Sequence, residues 1–242
     1  MNVETVGRLN PIIETLRNAS GRVQKVIIQE VRGPYKIAEV IRLARERGIP
    51  VHFIPKRKLD LMAPGHQGAV ILLAAKEYLS VEDILAGSRK PFVVLLDEIE
   101  DPQNLGAIIR SAECAGADGI IVPERRSAGV TDSVMEVSAG AAEHLKIARV
   151  TNLVRTMDEL KQKGLWFVGA EGGQKGLWYE FDYTMPVGIV LGSEGRGLRR
   201  LVREKCDQVL SIPLLGRVNS LNVAAAAAVF FFEVARQRLR PA

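Results

Sequence analysis

The sequence predicts an α/β protein with a mostly parallel sheet in its C-terminal part and a smaller α/β unit before it. Three observations support this fold class. Apolar runs from Phe92 onward are continuous rather than alternating, helical patterns separate most of them, and glycines follow several of the runs. Continuous apolar strands with helices between them indicate a parallel sheet that is covered on both faces. Glycine turns at strand ends favour a ligand crevice at the C-terminal ends of the strands.

The N-terminal unit alternates strand and helix signals. Residues 23–31 (VQKVIIQEV) are rich in β-branched residues and predict a strand. Pro34 then opens a helical pattern that Gly48 ends. Further strands are expected at 51–54 and 69–75. We therefore predict a domain over residues 1–76, a linker or connecting helix over residues 77–91, and a second domain over residues 92–242.

The second domain carries the continuous apolar strands. They are predicted at 92–99, 119–123, 165–171, 187–194 and 208–215. The helices between and after them are predicted at 103–116, 151–163, 196–205 and 219–238.

The overall composition excludes several classes of protein. Of 242 residues, 47% are hydrophobic and 25% charged, which is globular rather than disordered composition. No apolar run reaches the roughly 18 residues of a membrane helix, and the N-terminus lacks the pattern of a signal peptide. Cys114 and Cys206 are too few for a zinc cluster, and without an export signal we expect no disulfide. A cytoplasmic protein without a metal is expected.

The positive charge is concentrated in the N-terminal part. Residues 1–90 carry 15 Lys+Arg and 9 Asp+Glu, a net of +6, whereas residues 91–242 carry a net of −1. Two clusters stand out, and their members are Arg42, Arg45, Arg47, Lys56, Arg57 and Lys58. Each cluster alone is compatible with a solvated helix face followed by a polar turn. The asymmetry between the two parts favours a nucleic-acid partner.

Residues 97–123 form the first stretch that can carry chemistry. An apolar strand ends in acidic residues, and Pro102 then opens a helix that contains Asn104 and Arg110. Six residues are almost two helical turns, so both side chains are expected near one face. Arg110 interrupts an apolar stretch, which is costly unless its guanidinium meets an anion or a carboxylate. The structural alternative is a salt bridge to one of four acidic residues, Asp97, Glu98, Glu100 or Asp101.

Residues 188–207 form the second stretch. A buried strand runs into three glycines around Glu194 and then into a basic helix. Glycines at a strand-to-helix turn let backbone N–H groups approach a ligand closely. The stretch fits neither G-x-G-x-x-G nor a phosphate loop, and a plain tight turn is the alternative. Another glycine loop at 169–176 follows its own strand and adds to the predicted crevice.

Residues 210–233 form the third stretch. An apolar strand meets Pro213, and a polar turn then precedes an alanine-rich helix. Ser220 or Asn219 is the expected helix cap.

Together, the order of these stretches resembles the SpoU (TrmH-like) branch of the SPOUT RNA methyltransferases. The likeness covers residues 92–238 and includes N-x-x-x-x-x-R from Asn104 to Arg110, LGSEGRGL, and IPLLGRVNSLNVAAAAAV. The N-terminal sequences VGRLNPIIETL and HQGAVILLAA are similar to the substrate-binding domain of the bacterial 23S rRNA guanosine 2′-O-methyltransferases, which resembles a ribosomal protein.

The resemblance implies a fold, a cofactor and an assembly. It implies a deep trefoil knot, S-adenosylmethionine bound in the knotted loops, and a homodimer whose active site uses both chains. The implied cofactor-binding residues are Ala170, Glu171, Gly192, Gly195, Ile212, Pro213 and Leu221. The implied catalytic or substrate-binding residues are Asn104, Arg110, Glu194, Ser220 and Asn222.

Several functions remain open at this stage. A guanosine ribose of 23S rRNA is the expected target, and a tRNA ribose or an rRNA adenosine, as in antibiotic resistance, are alternatives. A non-catalytic RNA-binding or ribosome-assembly factor is an alternative of another class. A Rossmann oxidoreductase is disfavoured because the dinucleotide fingerprint is missing.

Overall fold

The computed structural model describes residues 3–18, 23–30, 35–74 and 78–239. Contacts divide the chain into two compact units. The first unit consists of Met1–Glu77 and Val130–His144, and the second of Tyr78–Gly129 and Leu145–Ala242.

Strands and helices alternate along most of the chain. The strands are β1 (Val3–Val6), β2 (Val23–Gln29), β3 (Val51–Ile54), β4 (Ala69–Ala74), β5 (Phe92–Asp97), β6 (Gly119–Pro123), β7 (Lys146–Val150), β8 (Trp166–Ala170), β9 (Val187–Gly192) and β10 (Gln208–Leu210). The helices are α1 (Leu9–Asn18), α2 (Tyr35–Glu46), α3 (Lys56–Met62), α4 (Val81–Leu85), α5 (Pro102–Cys114), α6 (Asp132–Val137), α7 (Ala141–His144), α8 (Leu153–Gln162), α9 (Arg200–Lys205) and α10 (Val223–Leu239).

The first unit is built on a four-stranded sheet in the order β1-β4-β2-β3. Strands β1 and β2 run antiparallel to β4, and β3 runs parallel to β2. One face of the sheet packs against α1 and α2 in a core that includes Leu16, Val26 and Val40. The opposite face has a smaller core, in which Leu59 of the short helix α3 packs against Ile27 and Val70, with Ile54, Ala63 and Leu72 partly buried beside them.

Two short helices distant in sequence also belong to the first unit. Helix α6 contacts β1, and Arg8 forms an ion pair with Glu136 at 2.6 Å. Contacts thus group residues 130–144 with the N-terminal unit and residues 78–91 with the C-terminal unit. The domain boundaries predicted at residues 76 and 92 stay a prediction. The two compact units defined by contacts differ from them, because the first unit extends to Glu77 and the second already begins at Tyr78.

The second unit contains a six-stranded parallel sheet in the order β10-β8-β9-β5-β6-β7. The predicted α/β fold and parallel sheet are confirmed. All residues of β5 and β9 are buried, as expected for central strands covered on both faces. One face packs against α4, α8 and α9, and the other against α5 and α10, where the rings of Phe92 and Phe231 meet edge to face at 5.8 Å. The knot implied by the resemblance stays a prediction.

Several predicted elements need correction. Strand β10 ends at Leu210 rather than 215, and α10 begins at Val223 rather than 219. The polar turn expected at Lys56 is the start of α3. Strand β7 was not predicted, because its sequence KIARV interrupts the apolar pattern with two cations. The predicted strand end at Val31, helix start at Pro34 and strand end at Ala75 lie outside the described residues.

No helix within the described ranges is long and apolar enough to cross a membrane. Across the same ranges, no group of three or more His, Cys, Asp or Glu side chains is placed to hold a metal ion.

The two cysteines are free thiols that differ in reactivity. Burial raises the pKa of Cys206 to about 12, so its thiol stays protonated at neutral pH, whereas Cys114 is exposed.

We expect iodoacetamide to modify Cys114 at neutral pH and Cys206 only after denaturation, as measured by mass spectrometry. A native Cys114→Ser variant that still takes up one label would contradict this assignment.

Candidate active site

A glycine loop follows β9 and turns the chain back on itself. The Gly197 N–H donates a hydrogen bond of 2.9 Å to the Ser193 carbonyl, and Gly195 and Gly197 have φ values of 82° and 67°. A Cβ atom on Gly192 would lie 2.2 Å from the Gly197 carbonyl carbon. Side chains are therefore excluded at Gly192, and the backbone of this loop lines the space beyond the strand.

A cavity of about 500 Å³ lies at the C-terminal ends of the strands β8, β9 and β10. Loops after these strands and one face of α10 line it, which is the expected place for a ligand in a parallel sheet. Of the predicted cofactor residues, the lining includes Ala170, Glu171, Gly192, Gly195, Ile212 and Leu221. Pro213 is exposed and lies between two lining residues without being one itself.

The cavity combines apolar and polar surface. Leu191, Ile212 and Phe230 contribute apolar side chains to the wall. Glu171, directly after β8, contributes a carboxylate. The Glu171 carboxylate accepts a 2.7 Å hydrogen bond from Arg203 Nε, so this carboxylate is already partly neutralised. The volume is within the range of roughly 300–1,000 Å³ of small-molecule sites.

Three of the predicted catalytic residues form one hydrogen-bonded cluster. Asn104 Nδ2 donates to Glu194 Oε2 at 3.2 Å, and Asn222 Nδ2 donates to Asn104 Oδ1 at 2.8 Å. Residues from three distant parts of the sequence therefore meet at one point. Asn104 is almost fully buried, so these bonds satisfy the polar atoms of its amide away from water.

Asn222 rather than Ser220 or Asn219 caps α10. Its Oδ1 accepts hydrogen bonds from the N–H groups of Ala224 at 2.9 Å and Ala225 at 3.3 Å. The predicted cap was wrong by two or three residues. Ser220 and Asn219 instead line the 500 Å³ cavity.

A second cavity of about 310 Å³ lies on the other side of this cluster. Asn104 and the acidic end of β5 line it, and it shares Ser193, Glu194, Arg196 and Val223 with the first cavity. Arg196 is the one cation among the residues that line either cavity, and it makes no ion pair with any residue that the structure describes. Arg196 was not among the predicted site residues, although it lies within LGSEGRGL. The sequence of a loop does not show in which direction an arginine side chain points.

Arg110 does not join the cluster. Six helical residues rotate the side chain by about 120° away from Asn104. Arg110 is therefore exposed on α5, and it lines neither cavity. The expectation that both residues lie on one face was wrong. The alternative, a salt bridge to one of the acidic residues after the strand, is also absent among the described residues.

Asp97, the last residue of β5, and Glu98 after it form ion pairs with arginines from other parts of the chain. Asp97 is fully buried and accepts hydrogen bonds from Arg199 N at 2.8 Å and from Arg199 Nε at 2.6 Å. Glu98, at φ 60°, pairs with Arg126 at 3.1 Å. Asp97 is buried while the Arg199 side chain is 46% exposed, so removing Arg199 would leave a buried carboxylate without its compensating charge. The pair therefore fixes the chain just after the loop.

All six predicted RNA-binding residues are exposed in the first unit. Arg42 is paired with Glu46 at 2.6 Å, and the Arg47 guanidinium donates to the Arg17 carbonyl. The members without an ion pair to any described residue are Arg45, Lys56, Arg57 and Lys58.

The two cavities adjoin beside the Asn104–Glu194–Asn222 cluster, in which Asn104 is buried and the other two side chains are exposed. A parallel α/β sheet with two adjoining cavities at the ends of its strands is the arrangement of an enzyme that brings two substrates together. The SpoU rRNA Methylase family model matches residues 91–232, and the model for RNA 2′-O ribose methyltransferase substrate binding matches residues 9–79. The chain therefore belongs to the SpoU family, whose members are S-adenosylmethionine-dependent RNA 2′-O-methyltransferases, and it is a methyltransferase. The predicted resemblance and enzyme class are confirmed.

Individual relatives agree with the assignment. YacO of Bacillus subtilis, assigned to the TrmH family of tRNA/rRNA methyltransferases, is 42% identical over 234 residues, which cover 95% of this chain and 94% of YacO. The SpoU methyltransferase AviRb from Streptomyces viridochromogenes, solved in complex with AdoMet, superposes with a TM-score of 0.82 at 27% identity, covering 98% of this chain and 91% of AviRb. The AdoMet-bound rRNA methyltransferase from Sinorhizobium meliloti shares the fold, with a TM-score of 0.80 at 24% identity, covering 98% and 88%.

Proposed function

We propose that this protein methylates a ribose 2′-hydroxyl in RNA, and that the RNA is 23S rRNA with a guanosine as the target. The observation that carries the proposal is the Asn104–Glu194–Asn222 cluster at the junction of two cavities. One cavity has the size for a cofactor, and the other opens beside the cluster for an acceptor group. The protein would act in the cytoplasm, where such an RNA is made.

The larger cavity is the proposed site of S-adenosylmethionine. Backbone groups of Gly192, Gly195 and Ile212 would approach the cofactor, and Leu221 and Phe230 would cover its apolar surface. The close approach at Gly192, where a Cβ has no space, fits a ligand held by backbone atoms. When bound, the cofactor supplies a methyl group that is already activated as a sulfonium. The implied knot would bring these loops together.

The protein residues would orient the acceptor. Asn104 is held between Glu194 and Asn222, so its amide is fixed before substrate arrives. Ser220 would hydrogen-bond the ribose or the cofactor at the cavity wall. Glu194, which accepts a hydrogen bond from Asn104 here, would accept another from the substrate. Positioning of this kind can supply several kcal/mol of the barrier.

Arg110 is proposed to stabilise the developing alkoxide and to bind the phosphate next to the target ribose. A guanidinium rarely loses its proton, so water or a phosphate oxygen would take the hydroxyl proton. Since Arg110 lines neither cavity of its own chain, it would act at the site of a second copy. This assignment makes the homodimer part of the catalytic machinery.

Exposed apolar residues support the homodimer. Leu215, Val218 and Phe232, on the loop before α10 and on α10 itself, expose 98%, 72% and 51% of their surface. Exposed apolar side chains on adjoining segments of the chain are typical of an interface. We expect Phe232→Asp to convert a dimer into a monomer and to reduce methyl transfer at least tenfold, as measured by light scattering and activity. Leu201→Asp, on α9, is the control. A monomeric wild type, or a dimeric Phe232→Asp variant, would refute the proposed interface.

The basic first unit would bind structured RNA through phosphate contacts. The Lys56→Gln/Arg57→Gln double variant should lower RNA affinity about tenfold and reduce the slope of log K against log salt by about two, because each phosphate contact adds roughly one to that slope. Arg42→Gln should have a smaller effect, since Glu46 already neutralises Arg42. Filter binding over a salt series measures both. An unchanged slope in the double variant would exclude these two residues from RNA binding.

The choice of RNA is tested by methyl transfer itself. The protein is incubated with cofactor carrying a radiolabelled methyl group and with unmodified large-subunit rRNA or unmodified tRNA. Label in rRNA at a guanosine supports the proposal. Label in tRNA, or at an rRNA adenosine, would move the substrate to one of the alternatives. No transfer to any RNA, with cofactor bound, would favour a non-catalytic RNA-binding role.

A further inference from the structure

The face of the first unit's sheet that packs against α3 carries an open groove of about 490 Å³. We propose that this groove binds an unpaired nucleotide of the substrate RNA, with the base on its apolar floor and the flanking phosphate on its lysines. The proposal rests on RNA being the substrate. It adds a second contact region that recognises unpaired RNA outside the methyl-transfer site.

The groove is lined by apolar side chains of different exposure: Ile27 is buried at its base, Ile54 is partly exposed, and Leu61 and Met62 are exposed. Ile27 and Ile54 project from the neighbouring strands β2 and β3, and Leu61 and Met62 lie on α3. Leu61 exposes 82% of its surface, although it is next to a groove that could have buried it. Leu59 is the buried residue of α3, so the apolar side chains of Leu61 and Met62 beside the groove stay open to a ligand. The flat apolar faces of a nucleobase match these side chains.

The rim of the groove is cationic. Lys25 lies on β2, an inner strand of the sheet, two residues from Ile27 and on the same face, and Lys58 lies on α3. Neither lysine makes an ion pair with any residue in the described ranges, and no carboxylate is among the residues that line the groove. By contrast, Arg17 on α1 and Arg42 on α2, across the sheet, are paired with Glu39 and Glu46. The unpaired charge thus selects an anionic ligand for the groove face.

Unpaired RNA fits this combination better than a duplex. A duplex presents phosphates and riboses to a protein and keeps its base faces stacked inside. An unpaired nucleotide offers an apolar base face and a phosphate within a few ångströms of each other, as the groove offers Leu61 and Lys58. His52, also in the lining, adds a hydrogen-bonding group for the edge of the base.

The test compares single-stranded and duplex RNA. Fluorescence anisotropy measures binding of a fluorescein-labelled mixed-sequence single strand and of the duplex formed with its complement. We expect Leu61→Ser to weaken single-strand binding roughly five- to tenfold and to leave duplex binding unchanged, because only the base contact is lost. Lys25→Gln should weaken single-strand binding and reduce the slope of log K against log salt by about 0.7, the contribution of one phosphate contact on a single strand. Both residues are at least partly exposed, so the variants should fold.

The control variants and the activity of the wild type distinguish failure of the groove assignment from failure of the proposed function. Leu201→Ser in the second unit and Lys36→Gln on α2 should bind single strands like wild type. If wild type transfers methyl groups to RNA while Leu61→Ser and Lys25→Gln bind single strands normally, the groove assignment is overturned alone. If wild type neither binds nor methylates RNA, the proposed function fails and the groove assignment fails with it. Competition by polyglutamate but not by oligouridylate would overturn the RNA assignment in favour of an acidic protein segment.

Discussion

Replacing Arg110 with lysine is expected to lower methyl transfer about 10²- to 10³-fold and to leave S-adenosylmethionine binding unchanged. Loss of one preorganised donor to a developing oxyanion has an effect of this size. Lysine keeps the charge but loses the planar array of donors that can hold a phosphate and polarise a hydroxyl together. Because Arg110 has no ion pair among the described residues and is exposed, the substitution should not affect stability. Single-turnover kinetics and calorimetry of cofactor binding measure the two effects separately.

If Arg110 acts at the active site of the other chain, mixing two inactive variants should restore activity. Arg110→Ala and Asn104→Ala homodimers should both be inactive. Exchange of subunits between them creates dimers in which one site has an intact Asn104 and receives Arg110 from the other chain. Statistical exchange should then restore about a quarter of wild-type activity. Arg155→Lys, on α8, is the control for arginine replacement. Near-normal turnover of Arg110→Lys, or no activity in the mixture, would contradict the role given to Arg110.

Replacing Gly192 with alanine should weaken cofactor binding at least 100-fold. The new Cβ would lie 2.2 Å from both the carbonyl carbon and the oxygen of Gly197 and 2.5 Å from Leu198 N. These are backbone atoms, so no side-chain rotation relieves the clash, and the loop that lines the cavity must move. Isothermal titration calorimetry with S-adenosylmethionine measures the loss, and circular dichroism shows that the sheet is retained.

A matched glycine controls for the substitution itself. A Cβ on Gly129 would meet its nearest neighbour, Arg149 Nη2, at 3.6 Å, which is ordinary contact. Gly129→Ala should bind the cofactor like wild type. Wild-type affinity in Gly192→Ala would show that the cofactor does not bind in the 500 Å³ cavity.

Much of the second unit's fold could be predicted from the sequence because its strands are buried on both faces. Residues 119–123 were predicted as a strand and form β6 with the same bounds. Where a strand lies at an edge the signal is weaker, which is why β7, at one edge of the sheet, was missed. The grouping of residues 130–144 with the first unit depends on contacts between distant parts of the chain, which no local pattern shows.

The sequence predicts which residues belong to the site, but it does not predict all of the contacts between their side chains. The three sequence stretches predicted that Asn104, Glu194 and Asn222 act together, and the structure brings them within hydrogen-bonding distance. That Arg110 points away from Asn104 follows from their six-residue spacing on α5, which turns the side chain by about 120°. Which face of α5 packs against the sheet is what the spacing does not show. The ion pair of Arg42 with Glu46 neutralises one member of the predicted cluster, so the cations counted in the sequence overstated the charge available to RNA.

The most direct test of the account is the chemical identity of the methylated nucleoside. Unmodified large-subunit rRNA is incubated with the protein and S-adenosylmethionine, digested to nucleosides and analysed by mass spectrometry. We expect a single new product, 2′-O-methylguanosine, which does not form with the Arg110→Ala variant. A methyl group on a base, or no new methylated nucleoside while the cofactor binds, would contradict it.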